Sequence, residues 1–409
     1  MNIGFFSIHP QNESMGTNNR LKGLCQSLSK LGHSCLVFTP YEFKGDWGDK
    51  TTFHQIQGLT GKSKIATKIY KITRWVLNLS YFSRQLILRK KTIETLISKL
   101  SHGLLKYLQN NKQIHLDFII GEIEIASLVL CRIKKELKIP IIADYHNYWP
   151  EELIIAGTLK KSGNQYEYLI SLEREIARDA DHIITVSDFL SNFLIQEYQI
   201  SQEKITTVMA GGWPRNDKPE KKEFPPRIIF SGLVVPRANV ELFLKAIPYL
   251  KQKRPELQFF ITKKGEKISQ IQKLAKKLKI SPEFYWFEDY GEFFKFLTKC
   301  SVGILTSSLD LPAKFGPATK MFDYLSAGVP IVGNDVSSWT VNLKEKRVAL
   351  MTAEDPQELA AAILKFLDDP ELSEDYAQRG IDLVKNEYNW INIVQSRFIP
   401  ILNKLGINE

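Results

Sequence analysis

Cysteine is scarce in this chain of 409 residues: Cys25, Cys35, Cys131 and Cys300 are the full set, and no two of them form a CxxC pair. Four scattered thiols cannot build a disulfide framework, so the expectation is a reducing, cytoplasmic compartment. The seven histidines add no HxH or HxxxH spacing, and no resident metal or other cofactor is expected. Long apolar runs are also missing. The most apolar stretch, Ile114 to Leu130, is broken by Asp117, Glu122 and Glu124, well short of the roughly 18 uninterrupted residues a spanning helix needs. The first basic residue is Arg20, so Met1 to Pro10 does not read as a signal peptide. Neither a GxSxG elbow nor a Walker A sequence occurs, which sets aside hydrolases of that type and P-loop enzymes.

Acidic charge is absent from one region altogether. Thr51 to Ile93 contains no Asp or Glu and nine basic residues; taking those charges out of the total of +10 leaves +1 for the other 366 residues. A nearly neutral globule with one basic segment is a poor nucleic-acid coat, and no nucleic-acid partner is expected. Within that segment Ile65, Ile69, Ile72, Val76, Leu79 and Leu86 recur at helical steps beside Lys64, Lys68 and Lys71. This pattern fits an interfacial helix laying residues 62–91 on an anionic membrane at its inner face. It equally fits a domain helix with solvated lysines.

What is present is strand–helix alternation. Asn2 to Ile8 reads as a strand, Leu21, Leu24, Leu28 and Leu31 as one face of a helix stopped by Gly32, and Cys35 to Phe38 as a second strand. Further buried strands are expected at 118–120, 140–143 and 182–186. A polar, proline-bearing stretch at 211–226 reads as a linker, and the pattern then restarts. After it, strands are expected at 227–231, 257–262, 284–287, 302–305 and 329–332, and helices at 240–253, 268–278, from about 292, and at 319–327. The fold class is α/β, two Rossmann-like domains facing an interdomain cleft. Their expected bounds are 1–210 and 227–388, with a last helix over 389–409 crossing back to the first domain.

Several residues fall where an open α/β sheet binds ligands. Gly16 lies in the loop after the first strand, ahead of a helix, and suits either an oxygen-binding helix start or a plain turn. His146 directly follows the strand ending at Ala143, placed to bond a sugar hydroxyl or to pair with backbone. In Leu311 to Pro330 a Gly/Pro loop opens a helix near Thr319, with Lys320 in the first turn and Asp323 one step of i,i+3 beyond. That spacing fits a phosphate-binding lysine with a ribose-binding carboxylate, or an ordinary Lys–Asp surface pair. Lys263, after another strand, is either a site residue or a solvated turn.

In order and spacing these segments resemble the GT-B glycosyltransferases of the retaining family 4, or group 1, type. The resemblance rests on Asn18 to Phe38, Pro140 to Pro150 with His146, LEREIARDADHIITVS at 172–187, Phe230-Ser231-Gly232, and KMFDYLSAGVPIV at 320–332. It implies transfer of a sugar from a nucleotide diphosphate sugar to an acceptor hydroxyl on a glycan or lipid-linked acceptor, with retention and without metal. It also implies roles. Lys320 and Arg237 with the amides around Thr319 hold phosphate, Asp323 holds ribose, Gly232 and Lys263 line the donor loop edge, and His146 and Gly16 face the sugar or acceptor. His146 and Lys320 are then the catalytic pair. Two departures stand out. The basic residues usual after the donor-domain glycine are here Leu233 and Ala238, and the first of two acidic residues eight apart is Phe315. They leave a catalytically silent subunit, binding a nucleotide or a partner enzyme, as the alternative.

Overall fold

The computed structural model describes residues 1–8, 16–41, 47–56, 89–215 and 218–407, with the side chains of 16–18 left aside. The chain divides into two compact units, Met1–Ala210 with Trp390–Glu409, and Gly211–Asn389.

The first unit is built on seven strands: β1 (Asn2–Phe6), β2 (Ser34–Thr39), β3 (Thr51–Gln55), β4 (Phe118–Glu122), β5 (Ile141–Tyr145), β6 (His182–Thr185) and β7 (Ile205–Thr207). They pair in the order β3-β2-β1-β4-β5-β6-β7, every neighbour parallel. The second unit carries β8 (Arg227–Phe230), β9 (Gln258–Thr262), β10 (Glu283–Tyr285), β11 (Val302–Leu305), β12 (Ile331–Asn334) and β13 (Ala349–Thr352). Their order is β10-β9-β8-β11-β12-β13, again all parallel. Each sheet reverses its winding once, between β1 and β4 and between β8 and β11. At such a switch point the loops leaving the two strands part and open a crevice at their carboxyl ends.

Central strands such as β4, β5, β11 and β12 are buried along their whole length, as a parallel sheet covered by helices on both faces requires. Three strands escaped the sequence reading, β3, β7 and β13. All are edge strands, paired on one side only, and two of them are half-exposed threonine-bearing segments without an apolar run. Helix starts follow ordinary capping chemistry. The Asp355 carboxylate accepts from the amides of Gln357 and Glu358 at 2.8 and 2.9 Å ahead of Pro356, and Asp369 and Asp289 cap two further helices the same way.

The stretch expected as a linker is packed into the second unit. The Lys222 ammonium donates to the carbonyls of Thr298 and Gly328 at 2.9 and 2.8 Å, and Gly212 donates to the Tyr388 carbonyl at 2.7 Å. Of the basic segment, 57–88 lie outside the described residues, and with them nearly all of the expected membrane helix. Its first residues form β3. Its last open the helix Lys90–Asn110, which buries Ile93, Ile97, Leu100 and Leu104 in the domain. The Lys90 ammonium lies 5.6 Å from the Tyr168 ring centroid. Among the described residues no helix is long and apolar enough to cross a membrane.

Candidate functional site

Two groups of side chains gather at the switch points, one in each unit. In the second unit, β8 ends in Ser231 and Gly232. Gly232 has φ +92°, a left-handed conformation that favours glycine, and a Cβ built there would lie 3.6 Å from Lys320 Cδ. The turn that follows is pinned on two sides. Val234 donates to the Lys264 carbonyl at 2.9 Å and Lys267 to the Val234 carbonyl at 3.0 Å. Beyond it, Arg237 accepts from the Ser308 amide and Ala238 from the Thr306 hydroxyl, both at 2.9 Å, which fastens the Pro236–Ala238 turn to the end of β11.

Helix Lys320–Ser326 completes the group. Its Tyr324 hydroxyl accepts from the Ser231 amide at 2.8 Å and bonds the Ser231 hydroxyl at 3.0 Å, at the switch point itself. Lys320 is 7% exposed, its ammonium 3.5 Å from the Phe230 ring centroid, with no ion pair among the described residues. Burial first, and the Arg237 charge second, push its pKa well below the ordinary lysine value. A buried ammonium over an aromatic face, with a second cation acting on it, is costly alone and complementary to a dianion.

Asp323, one step further along the helix, is engaged. The Tyr290 hydroxyl donates to its Oδ1 at 2.6 Å, and the Arg215 guanidinium stacks 5.2 Å from the Tyr290 ring and 5.1 Å from Phe294. Burial raises the Asp323 carboxyl to about 6, with the Tyr290 bond and Arg215 opposing.

The structure brings Gly232, Arg237 and Lys320 together, with Asp323 three residues further along the Lys320–Ser326 helix. Thr319 stands at the head of the short helix, with no side-chain cap bond. Lys263 is exposed at the turn and makes no ion pair among the described residues; the neighbouring Lys264 instead lies 4.2 Å from the Trp286 ring. Phe315 is fully buried and Leu233 is 38% exposed. Tyr290 and Arg215 were not legible in the sequence, because they reach Asp323 across 33 and more than 100 positions and carry no local spacing signal.

In the first unit, Gly16 opens the helix Gly16–Lys30. His146 follows β5, and its Nε2 lies 3.0 Å from Asp144 Oδ2. Asp144 is held in turn by Arg20, through Nε at 3.1 and 3.0 Å and Nη2 at 2.9 Å, while Arg20 Nη1 donates to the Val208 carbonyl at 2.6 Å. Burial alone would raise the Asp144 carboxyl; Arg20, then His146, override it and hold it down to about 2. Asp144 lies within β5, two residues before His146 in the turn that follows. Beside them the Ser7 hydroxyl donates to Glu122 at the ends of β1 and β4. Deeper in, Tyr145 donates to Glu173 at 2.7 Å, and burial pushes that carboxyl up to about 8.

Two family models match the chain and together run almost from end to end: Glycosyltransferase Family 4 over residues 15–211 and Glycosyl transferases group 1 over residues 213–382. A search of curated proteins by sequence finds no significant match. Solved structures of similar fold include the sucrose-phosphate synthase of Thermosynechococcus elongatus, with a TM-score of 0.69 and 13% identity over 99% of both chains. Anabaena HepE in complex with UDP-glucose has a TM-score of 0.69 and 12% identity over 99% of this chain and 100% of that one. S. aureus TarM in complex with fondaparinux, α-GlcNAc-glycerol and UDP has a TM-score of 0.70 and 11% identity over 98% and 99%. With two parallel sheets of this order and both family models matched in sequence, the chain belongs to the GT-B glycosyltransferases of the family 4, group 1 type.

Proposed function

We propose that the protein transfers a sugar from a nucleotide diphosphate sugar to the hydroxyl of a glycan or lipid-linked acceptor, with retention of anomeric configuration and without a metal ion. One observation carries the reading. Lys320 is a buried ammonium without a carboxylate partner among the described residues, set beside Arg237 and the backbone of Gly232. A diphosphate supplies the charge that this arrangement lacks, and it is also the leaving group whose developing charge sets the barrier. The bond from the anomeric carbon to the diphosphate oxygen breaks, and its electron pair goes to that oxygen beside Lys320 and Arg237. The acceptor hydroxyl oxygen forms the new bond, and its proton passes to the departing phosphate. Asp323 takes ribose hydroxyls, with Thr319 and Lys263 at the edge of the donor patch. His146 and Gly16 serve the transferred sugar or the acceptor. UDP-glucose and UDP in the HepE and TarM structures support a nucleotide-sugar donor.

A second reading has its own observation. Phe315, fully buried, stands where the family's first acidic residue is expected, which favours a silent subunit that binds nucleotide without turnover. A screen of UDP-, GDP- and ADP-sugars read by released nucleotide separates the two, since a silent subunit binds and releases nothing. Run with anionic liposomes present, the same screen tests the proposed membrane surface at 62–91. A rate indifferent to lipid removes it.

Tyr290 makes a prediction of its own. Its phenol donates to Asp323 Oδ1 at 2.6 Å and so competes with a ribose hydroxyl for that oxygen. Tyr290→Phe is expected to tighten nucleotide diphosphate binding severalfold in a calorimetric titration, a change of about 1 kcal/mol for one hydrogen bond. Weaker binding would mean that Tyr290 is a ligand contact instead.

A further inference from the structure

The Arg20–Asp144–His146 chain is more elaborate than a surface ion pair. Its inner two members are almost without solvent exposure, at 2% each, and the histidine side chain is 11% exposed. It ties together three separate pieces of the first unit: the helix Gly16–Lys30, the end of β5, and the segment after β7 through the Val208 carbonyl. A bidentate guanidinium fork fixes a carboxylate in plane as well as in place, which a lysine could not do. The carboxylate then has one remaining direction of demand, and the His146 ring fills it.

Hydrogen-bond chemistry gives that contact a sense. An ionised carboxylate only accepts, so the ring nitrogen facing it must carry a hydrogen. Asp144, forked by the Arg20 guanidinium and held down to about 2 against its burial, is ionised throughout the neutral range. The ring nitrogen in contact is Nε2.

We propose that Arg20 and Asp144 are positioning residues that lock His146 as the Nε2–H tautomer, leaving Nδ1 as the ring's hydrogen-bond acceptor for a hydroxyl of the transferred sugar or the acceptor. The proposal rests on the reading of His146 given above, and it deepens that reading by stating which nitrogen works and what sets it.

Nitrogen-15 NMR of histidine-labelled full-length protein tests this, with the His146 signal identified by its loss in His146→Gln. The expected result is the Nε2–H tautomer in the wild type at neutral pH. A wild-type Nδ1–H tautomer, or an imidazolium at pH about 7, overturns the proposal without any further variant. Asp144→Asn keeps the shape and can donate as well as accept. It is expected to populate both tautomers and to lower kcat at least tenfold, with donor KM within about twofold of wild type. Arg20→Lys keeps the charge but loses the fork, and should fall between the two. An unchanged tautomer and an unchanged kcat in folded Asp144→Asn overturn the positioning role. The functional reading fails separately: wild-type turnover in His146→Gln removes His146 from the reaction whatever its tautomer.

Discussion

Replacing Lys320 with methionine is expected to cost at least tenfold in turnover of the nucleotide sugar while making the unliganded protein more resistant to heat. The two effects have one cause. The Lys320 ammonium is buried over Phe230 with Arg237 adding repulsion, and it makes no ion pair among the described residues. Burying such a charge disfavours the fold, and a near-isosteric apolar side chain relieves it. The sign also shows in pH. The folded-state pKa lies below the unfolded value of about 10.5, so between the two the unfolded chain binds the extra proton and stability rises as pH rises. Lys320→Met should flatten that rise. A bound diphosphate reverses the balance by pairing with the ammonium, so nucleotide should stabilise the wild type and do much less for the variant. Thermal melts with and without nucleotide check both. A structural lysine would lose stability on replacement and leave turnover in proportion to folded protein.

Gly23→Ala is expected to destabilise the first unit, against the usual preference of a helix for alanine. Gly23 lies inside the helix Gly16–Lys30, and the indole of Trp390 is laid on it. A Cβ there would fall 2.2 Å from Trp390 Cε2 and 2.6 Å from two further ring atoms. The indole is rigid and 4% exposed, so it cannot swing aside. Helix propensity favours alanine by about 1 kcal/mol. Overpacking costs about 1–3 kcal/mol. A van der Waals overlap this deep should put the cost at the upper end, for a net loss of about 1–2 kcal/mol and a drop of several degrees in the melting midpoint. Because Trp390 begins the segment that returns the chain to the first unit, the same change should loosen residues 390–407 in hydrogen exchange. A raised midpoint would show that propensity wins and that the contact is slack. Combining Gly23→Ala with Trp390→Leu should cost less than the two single changes added, since the smaller side chain removes the overlap.

These two positions differ in how much a sequence could reveal. Lys320 sits in a stretch whose spacing already marks it, three residues before Asp323 and just after a Gly/Pro loop. The contact between Gly23 and Trp390 spans 367 positions and has no local signal. The same contrast runs through the fold. The helix expected at 240–253 is observed as Val240–Lys253, because its apolar face is regular and its neighbours are strands. The central strands were legible as continuous apolar runs. β3, β7 and β13 were not, since an edge strand needs an apolar face on one side only. In the site, His146 was visible from its place after β5, whereas Asp144 was not read as its partner. Arg20 lies four residues before Leu24 on an apolar helix face, a local hint, but its partner is 124 positions away. Tyr290 and Arg215 became visible only once the second unit was folded around Asp323.

The central claim is that the second unit holds the diphosphate of a sugar donor and that Lys320 makes it leave. The most direct measurement incubates the purified protein with UDP-, GDP- and ADP-sugars over a panel of acceptors and quantifies released nucleotide. The account predicts release from one nucleotide class, dependent on acceptor and at least tenfold lower in Lys320→Met. A nucleotide that binds but is never released, or release that Lys320→Met leaves untouched, would contradict it.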